Sequence, residues 1–255
     1  MQFYQQVLTL SRRGQLERIR HRAAEEVMTE NQYLDRIADA GAFIVAESEA
    51  QLYASRGESG FTKLSKGTGN TDMYTVNGTD KYIAHMIGTT SSTTGRFTWA
   101  WGYLPGEETG PTIVHDIRTQ GEKLGIPELA EADFASEPRL MQRVLQASAA
   151  ISRVYTPVVF ETDNGDTGYF LIDGFQMPPA TIADLRQTIE TVMAGPGRPR
   201  DVRRALHQYA ATRRIGFAEQ DDAAFLQAED GTLIIGLDGH EITGLGAQDA
   251  EQPSP

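Results

Sequence analysis

The residues best suited to metal binding or proton transfer are five scattered histidines, His21, His85, His115, His207 and His240. None forms the H-x-x-x-H or H-x-H spacing that would bring two imidazoles onto one metal. His115-Asp116 stands without the upstream histidines that a metal-dependent hydrolase built on such a pair requires. Asp163, Asn164 and Asp166 lack the loop length and closing bidentate glutamate of a calcium site and read as a hairpin turn. Gly67-Thr68-Gly69 lacks the third glycine of a dinucleotide fingerprint, and neither a P-loop nor a nucleophile-elbow motif occurs. With no cysteine, disulfides, thiolate metal sites and a cysteine nucleophile are excluded. Glu128, Glu131 and Asp133 read as solvated loop carboxylates, and Asp173-Gly174 as a turn after a strand. No acid, base and nucleophile set assembles, so the reading leans away from an enzyme and expects no cofactor, no metal and no catalytic residue.

The remaining chemistry is aromatic. Read as a strand, Arg96 to Leu104 (RFTWAWGYL) places Phe97, Trp99, Trp101 and Tyr103 on one face. Large aromatics bury so much surface that a core face is the better reading. A buried indole N–H still needs an acceptor, which favours partial exposure of at least one tryptophan. Trp99, Trp101 and Tyr103, with His85 and His115, form the candidate ligand or partner surface.

Helical spacing runs over Ser11 to Glu30 (Leu16, Ile19, Ala23, Val27) and again from Leu34 to Leu52. Arg56 to Asn70 reads as a loop. Met73 to Val76, the Asn77-Gly78 hairpin signal, Lys81 to Gly88 and the aromatic strand predict an antiparallel meander of three strands. Pro111 opens a helix ending near Gly125, Ile126 to Leu129 reads as extended, and Pro138 opens another helix. Val154 to Thr162 and Thr167 to Ile172 form a hairpin, followed by a helix over Ile182 to Met193. After the turn-rich stretch Gly195 to Pro199 come a basic helix and three short strands.

These elements predict an α+β fold: an antiparallel sheet covered by helices, N-terminal helices and a small C-terminal α+β subdomain. The expected divisions are an N-terminal helical segment 1–57, a core domain 58–195, a helix and three-stranded meander 196–246, and a disordered tail 247–255. The net charge of −12 argues against nucleic-acid binding. No run is long and apolar enough for a membrane span or signal peptide, which points to the cytoplasm. The charge is uneven: arginines cluster at 12–22 and 198–214, while no lysine or arginine follows Arg214 and nine carboxylates do. An arginine-rich helix could dock an acidic surface, either its own C-terminal segment or a partner.

Met86 to Tyr103 (MIGTTSSTTGRFTWAWGY) resembles the hallmark of a bacterial family, number 6882 of the domains of unknown function. Its pattern is a Leu/Ile-Gly step, a polar turn and a T-W-x-W-[AG] strand. Gly121 to Leu129 (GEKLGIPEL) resembles its helix end running into G-I-P-E-L, and the hairpin ending Gly168 to Ile172 agrees. The resemblance covers roughly residues 31–195 and departs at Gly102-Tyr103, where the family often carries alanine and asparagine. It implies a fold unit and no activity. The leading expectation is a non-catalytic protein-binding module, chaperone-like or immunity-like, whose partner is another protein, a basic one or a second copy. The alternative is a small-molecule-binding or weakly enzymatic pocket beside the aromatic strand.

Overall fold

The computed structural model describes residues 30–55, 62–66, 72–76, 79–103, 112–162 and 164–249, so the helical pattern at 11–29 lies outside the described residues. The first described helix, α1 (Glu30–Ala54), is the axis of the molecule. Leu34, Ala38 and Val45 belong to one hydrophobic cluster, Ala42, Phe43 and Ile44 to a second, and Leu52 to a third. A helix buried nearly all round must satisfy its polar side chains internally, and Asp35, Asp39, Glu47 and Ser48 are all buried.

Next come β1 (Thr62–Lys66), β2 (Asp72–Val76), β3 (Asp80–Thr90), β4 (Arg96–Trp99), α2 (Ala100–Tyr103), α3 (Thr112–Leu124), α4 (Pro127–Ala130) and β5 (Asp133–Ala135). They are followed by α5 (Pro138–Ser152), β6 (Thr156–Glu161) and β7 (Thr167–Asp173). All seven strands form one antiparallel sheet centred on β3. Along one edge β3 pairs β2 through its first half and β4 through its last residues; along the other it pairs β7, which pairs β6. The predicted meander is β2–β3–β4. A Cβ on Gly88 would lie 2.3 Å from the Thr98 carbonyl oxygen, so the β3–β4 crossing requires glycine.

Three local readings change. The expected loop 56–70 contains β1, held by the ladder to β2 despite its polar sequence. Ile126 to Leu129 is not extended: Pro127 opens the single turn α4. The aromatic strand stops at Trp99, whose backbone N–H makes the last bond of the β4–β5 ladder, to the Ala132 carbonyl just before β5. Ala100 and Gly102 then let the chain wind into α2, which breaks the four-aromatic alternation after Phe97 and Trp99.

The chain continues through α6 (Ile182–Ala194), α7 (Val202–Arg213), β8 (Gly216–Glu219), β9 (Ala223–Ala228), β10 (Gly231–Asp238) and β11 (Glu241–Asp249). The last four strands form a separate antiparallel sheet in the order β11-β10-β9-β8, packed on α6 and α7. It has four strands rather than three, and β11 runs to Asp249, past the expected start of a tail. The fold is α+β.

α1 and α5 cross closely at Gly41, where an added Cβ would lie 2.3 Å from the backbone oxygen of Gln146 on α5. Gly41→Val must push the two helices apart and is expected to cost about 1–3 kcal/mol or more, as overpacking of a filled interior does. Urea denaturation would measure it, and an unchanged midpoint would show that the α1–α5 contact is dispensable.

Candidate functional site

Asp39 sits at 0% exposure on α1 with every lone-pair direction used. Its carboxylate accepts from the guanidinium Nη2 of Arg143 on α5 at 2.7 Å and from Nη2 of Arg204 on α7 at 2.9 Å. It also accepts the backbone N–H groups of Arg200 and Asp201, each at 3.0 Å. One turn earlier, Asp35 binds Arg143 at 3.0 Å and the Nε of Arg200 at 2.6 Å. Buried charges persist when paired and hydrogen-bonded; the Asp39 carboxylate meets both conditions, while Asp35 Oδ2 is held by its ion pair with Arg200 alone. The network fixes the start of α7 against α1 and α5. Gly195 to Pro199 is likewise drawn in, with Gln146 Nε2 donating to the Gly197 carbonyl at 2.9 Å.

Three turns along α1, Glu47 accepts from the Tyr209 hydroxyl at 2.9 Å and pairs with Arg213 Nε at the same distance. Burial raises the Glu47 carboxyl above its ordinary range against the opposing pull of Arg213. Burial and the neighbouring Glu47 hold Tyr209 well above the usual phenol range. A nucleophile or open coordination position is not part of this cluster, and among the described residues no group of histidines and carboxylates could hold a metal ion.

These ion pairs hold the walls of a groove. Tyr33, Ile37 and Ala40 of α1, Leu124 at the end of α3, and Ala150 and Ile151 of α5 form its apolar floor. Arg36, Arg204 and Gln208 form a polar rim, and the space is about 460 Å³. An adjoining depression of about 390 Å³ shares Ile37, Leu124 and Ile151 and brings Asp116, Thr119 and Gln120 of α3 to its edge. The arrangement offers an apolar stripe between rims of opposite charge.

Of the residues picked from sequence, Trp99, Trp101, His85 and His115 are not among those lining this groove. Trp99 is fully buried, edge-on to Phe97 at 5.1 Å, and its indole Nε1 donates to the Glu128 carbonyl at 3.0 Å. It is core. Trp101 is half-buried, and the Arg118 guanidinium lies 4.5 Å above its ring. His115 stands one turn before Arg118 on α3, half-buried. His85 lies on β3 with Nε2 3.9 Å from Asp173; burial lowers its imidazole below the ordinary range while Asp173 pulls the other way. The side chain of Tyr103 is outside the described ones. Ile37, Leu124 and Ile151 were each visible as apolar helix positions, but their meeting is a tertiary event that periodicity does not show.

An α+β core threaded by one buried, charge-bearing helix defines the class. The chain belongs to the family of unknown function DUF6882, whose model matches residues 35–175, more than half of it. No curated protein and no solved structure matches the chain. The matched region begins at the buried Asp35 and ends just beyond β7, so the Asp39 network joins it to residues outside the match. No helix among the described residues is long and apolar enough to cross a membrane.

Proposed function

We propose that this chain is a non-catalytic, cytoplasmic protein-binding module, chaperone-like or immunity-like, that takes an amphipathic segment of a basic partner into the groove between α1, α3, α5 and α7. The observation that carries the reading is the apolar stripe Ile37–Leu124–Ile151, open to solvent yet walled by buried ion pairs that preorganise it. Preorganised walls reduce the ordering cost of association. The net charge of −12 favours a basic partner through long-range attraction. The small-molecule alternative draws on the Trp101 indole N–H, which is buried without a partner among the described residues. The Arg118 stack already accounts for the placement of that ring.

Affinity capture from the cell that encodes the chain tests the reading. A stoichiometric partner is expected, with recovery falling about tenfold for Ile151→Glu, a partly exposed position where a charge would sit in the apolar stripe. Circular dichroism should report an intact fold. No stoichiometric partner, or one retained equally by the variant, would sink the proposal.

A further inference from the structure

The second sheet ends in an edge that lacks the usual protection. Among the described residues β11 pairs only with β10. The Leu237 N–H of β10 donates to Asp222 on the β9 side. Alternation along β10 therefore turns the backbone of Thr232, Ile234 and Gly236 towards β11, opposite Gln248, Gly246 and Gly244. The intervening residues of β11, Leu245, Ala247 and Asp249, present their N–H and C=O groups to the outer side. The Leu245 carbonyl is met there by Arg186 of α6 at 3.3 Å. Ala247 and Asp249 are exposed, and a Cβ on Gly244 would meet nothing within 4 Å.

Native edges are blunted by shortness, lysine, proline or bulges. The register shift of β11 lies near its start, and Gly244 to Gln248 carries neither charge nor proline. The opposite edge, β8, is short, and Arg203 spans its end through Glu219 and the Asp221 carbonyl. Arg186 at Leu245 and Arg198 at Glu241 sit along the earlier part of the edge, and the end beyond Ala247 is acidic. No lysine or arginine follows Arg214, and a depression of about 320 Å³ at the end of β11 is lined by Glu229, Asp249, Gln227 and Gln248.

We propose that β11 is a strand-addition site for an extended, basic peptide segment of another protein, whose lysine or arginine side chains reach Glu229 and Asp249. The charge pattern also selects against a second copy. The β11 of a second copy carries no lysine or arginine, so it offers Asp249 and Glu229 no cation. A basic strand turns the same carboxylates into attractions. This surface is distinct from the groove and lies outside the family match, so it stands or falls separately.

The test uses the full chain, calorimetry and amide NMR with three peptides: KTVKVTK, its acidic counterpart ETVEVTE, and KTVKVTK with alternate backbone nitrogens methylated. The basic peptide is expected to bind and to shift the amides of Leu245 to Asp249, and salt is expected to weaken it. The acidic and the methylated peptides are expected not to bind. Asp249→Lys should weaken binding about tenfold by reversing a rim charge. Ala247→Pro, which removes an outward N–H, should abolish binding at an unchanged melting temperature. Equal binding of the acidic or methylated peptide overturns the proposal, whether or not Ala247→Pro folds. So does concentration-dependent broadening of the β11 amides without peptide, which would assign the edge to self-pairing.

Discussion

Asp39→Ala is expected to cost about 3–5 kcal/mol, the loss typical of breaking a buried ion pair by removing one partner. Removing the carboxylate leaves the Arg143 guanidinium without its 2.7 Å partner and Arg204 without its 2.9 Å partner. It also leaves the N–H groups of Arg200 and Asp201 facing a void. Arg143 keeps Asp35, and Arg204 keeps Asp201 at 3.1 Å, so the residual charges are not wholly abandoned. A domain is stable by only about 5–15 kcal/mol, so such a loss removes a large share of the total. The effect should be directional: α7 and the second sheet are held to α1 partly through this carboxylate, so proteolysis is expected to release the region after residue 200 first. Asp39→Asn should fall between, because one oxygen still accepts while the new amide N–H₂ opposes two donors. Urea denaturation with limited proteolysis checks all three statements. A cost of Asp39→Ala below about 1 kcal/mol would show that the network is solvated rather than structural.

The same network explains what was legible in the sequence and what was not. Strand and helix placement followed from turn chemistry: β2 ends and β3 begins on either side of the Asn77-Gly78 signal, α3 begins after Pro111, and Pro138 opens α5. Thr181 and Asp184 cap α6 reciprocally, again a local signal. β1 escaped because TKLSK has no alternation and is a strand only by virtue of its partner. The end of β4 escaped for the converse reason: period two continued through Trp101 and Tyr103, but the β5 side of the ladder ends with the Ala132 carbonyl opposite Trp99. The position of α1 was hidden by its own charges. Asp35, Asp39 and Glu47 look like a solvated stripe until Arg143, Arg200, Arg204 and Arg213, more than a hundred residues away, are brought against them. The arginine-rich stretch 198–214 was noted as a docking element, and its target proves to be the carboxylates of α1 together with Glu219 and Glu241 of the second sheet. The groove could not be read for the same reason, since four helices contribute to it and each shows only its own periodicity.

Trp99→Ala is expected to cost about 3–5 kcal/mol, the range for truncating a large buried aromatic. The side chain is fully buried and edge-on to Phe97, which in turn packs on Phe134 and Tyr169. Its second role is polar. The indole N–H reaches the carbonyl of Glu128, so the aromatic strand and the G-I-P-E-L turn, the two stretches by which the sequence resembles its family, meet at one hydrogen bond. The turn is shaped for that meeting. Gly125 has a φ of +64°, a conformation disfavoured for side-chain-bearing residues, and Ile126 and Leu129 are buried on either side of Pro127. Leu129 is pressed so closely on α3 that a Cβ on Gly121 would lie 2.6 Å from its own Cβ. Trp99→Phe separates the two contributions. It keeps most of the apolar contact but leaves the Glu128 carbonyl without its donor, a loss of about 1–3 kcal/mol. If packing dominates, the phenylalanine variant should be clearly the more stable of the two in denaturant melts. Equal losses would instead make the indole hydrogen bond the element that joins β4 to α4. A cost below about 1 kcal/mol for Trp99→Ala would contradict its place in the core.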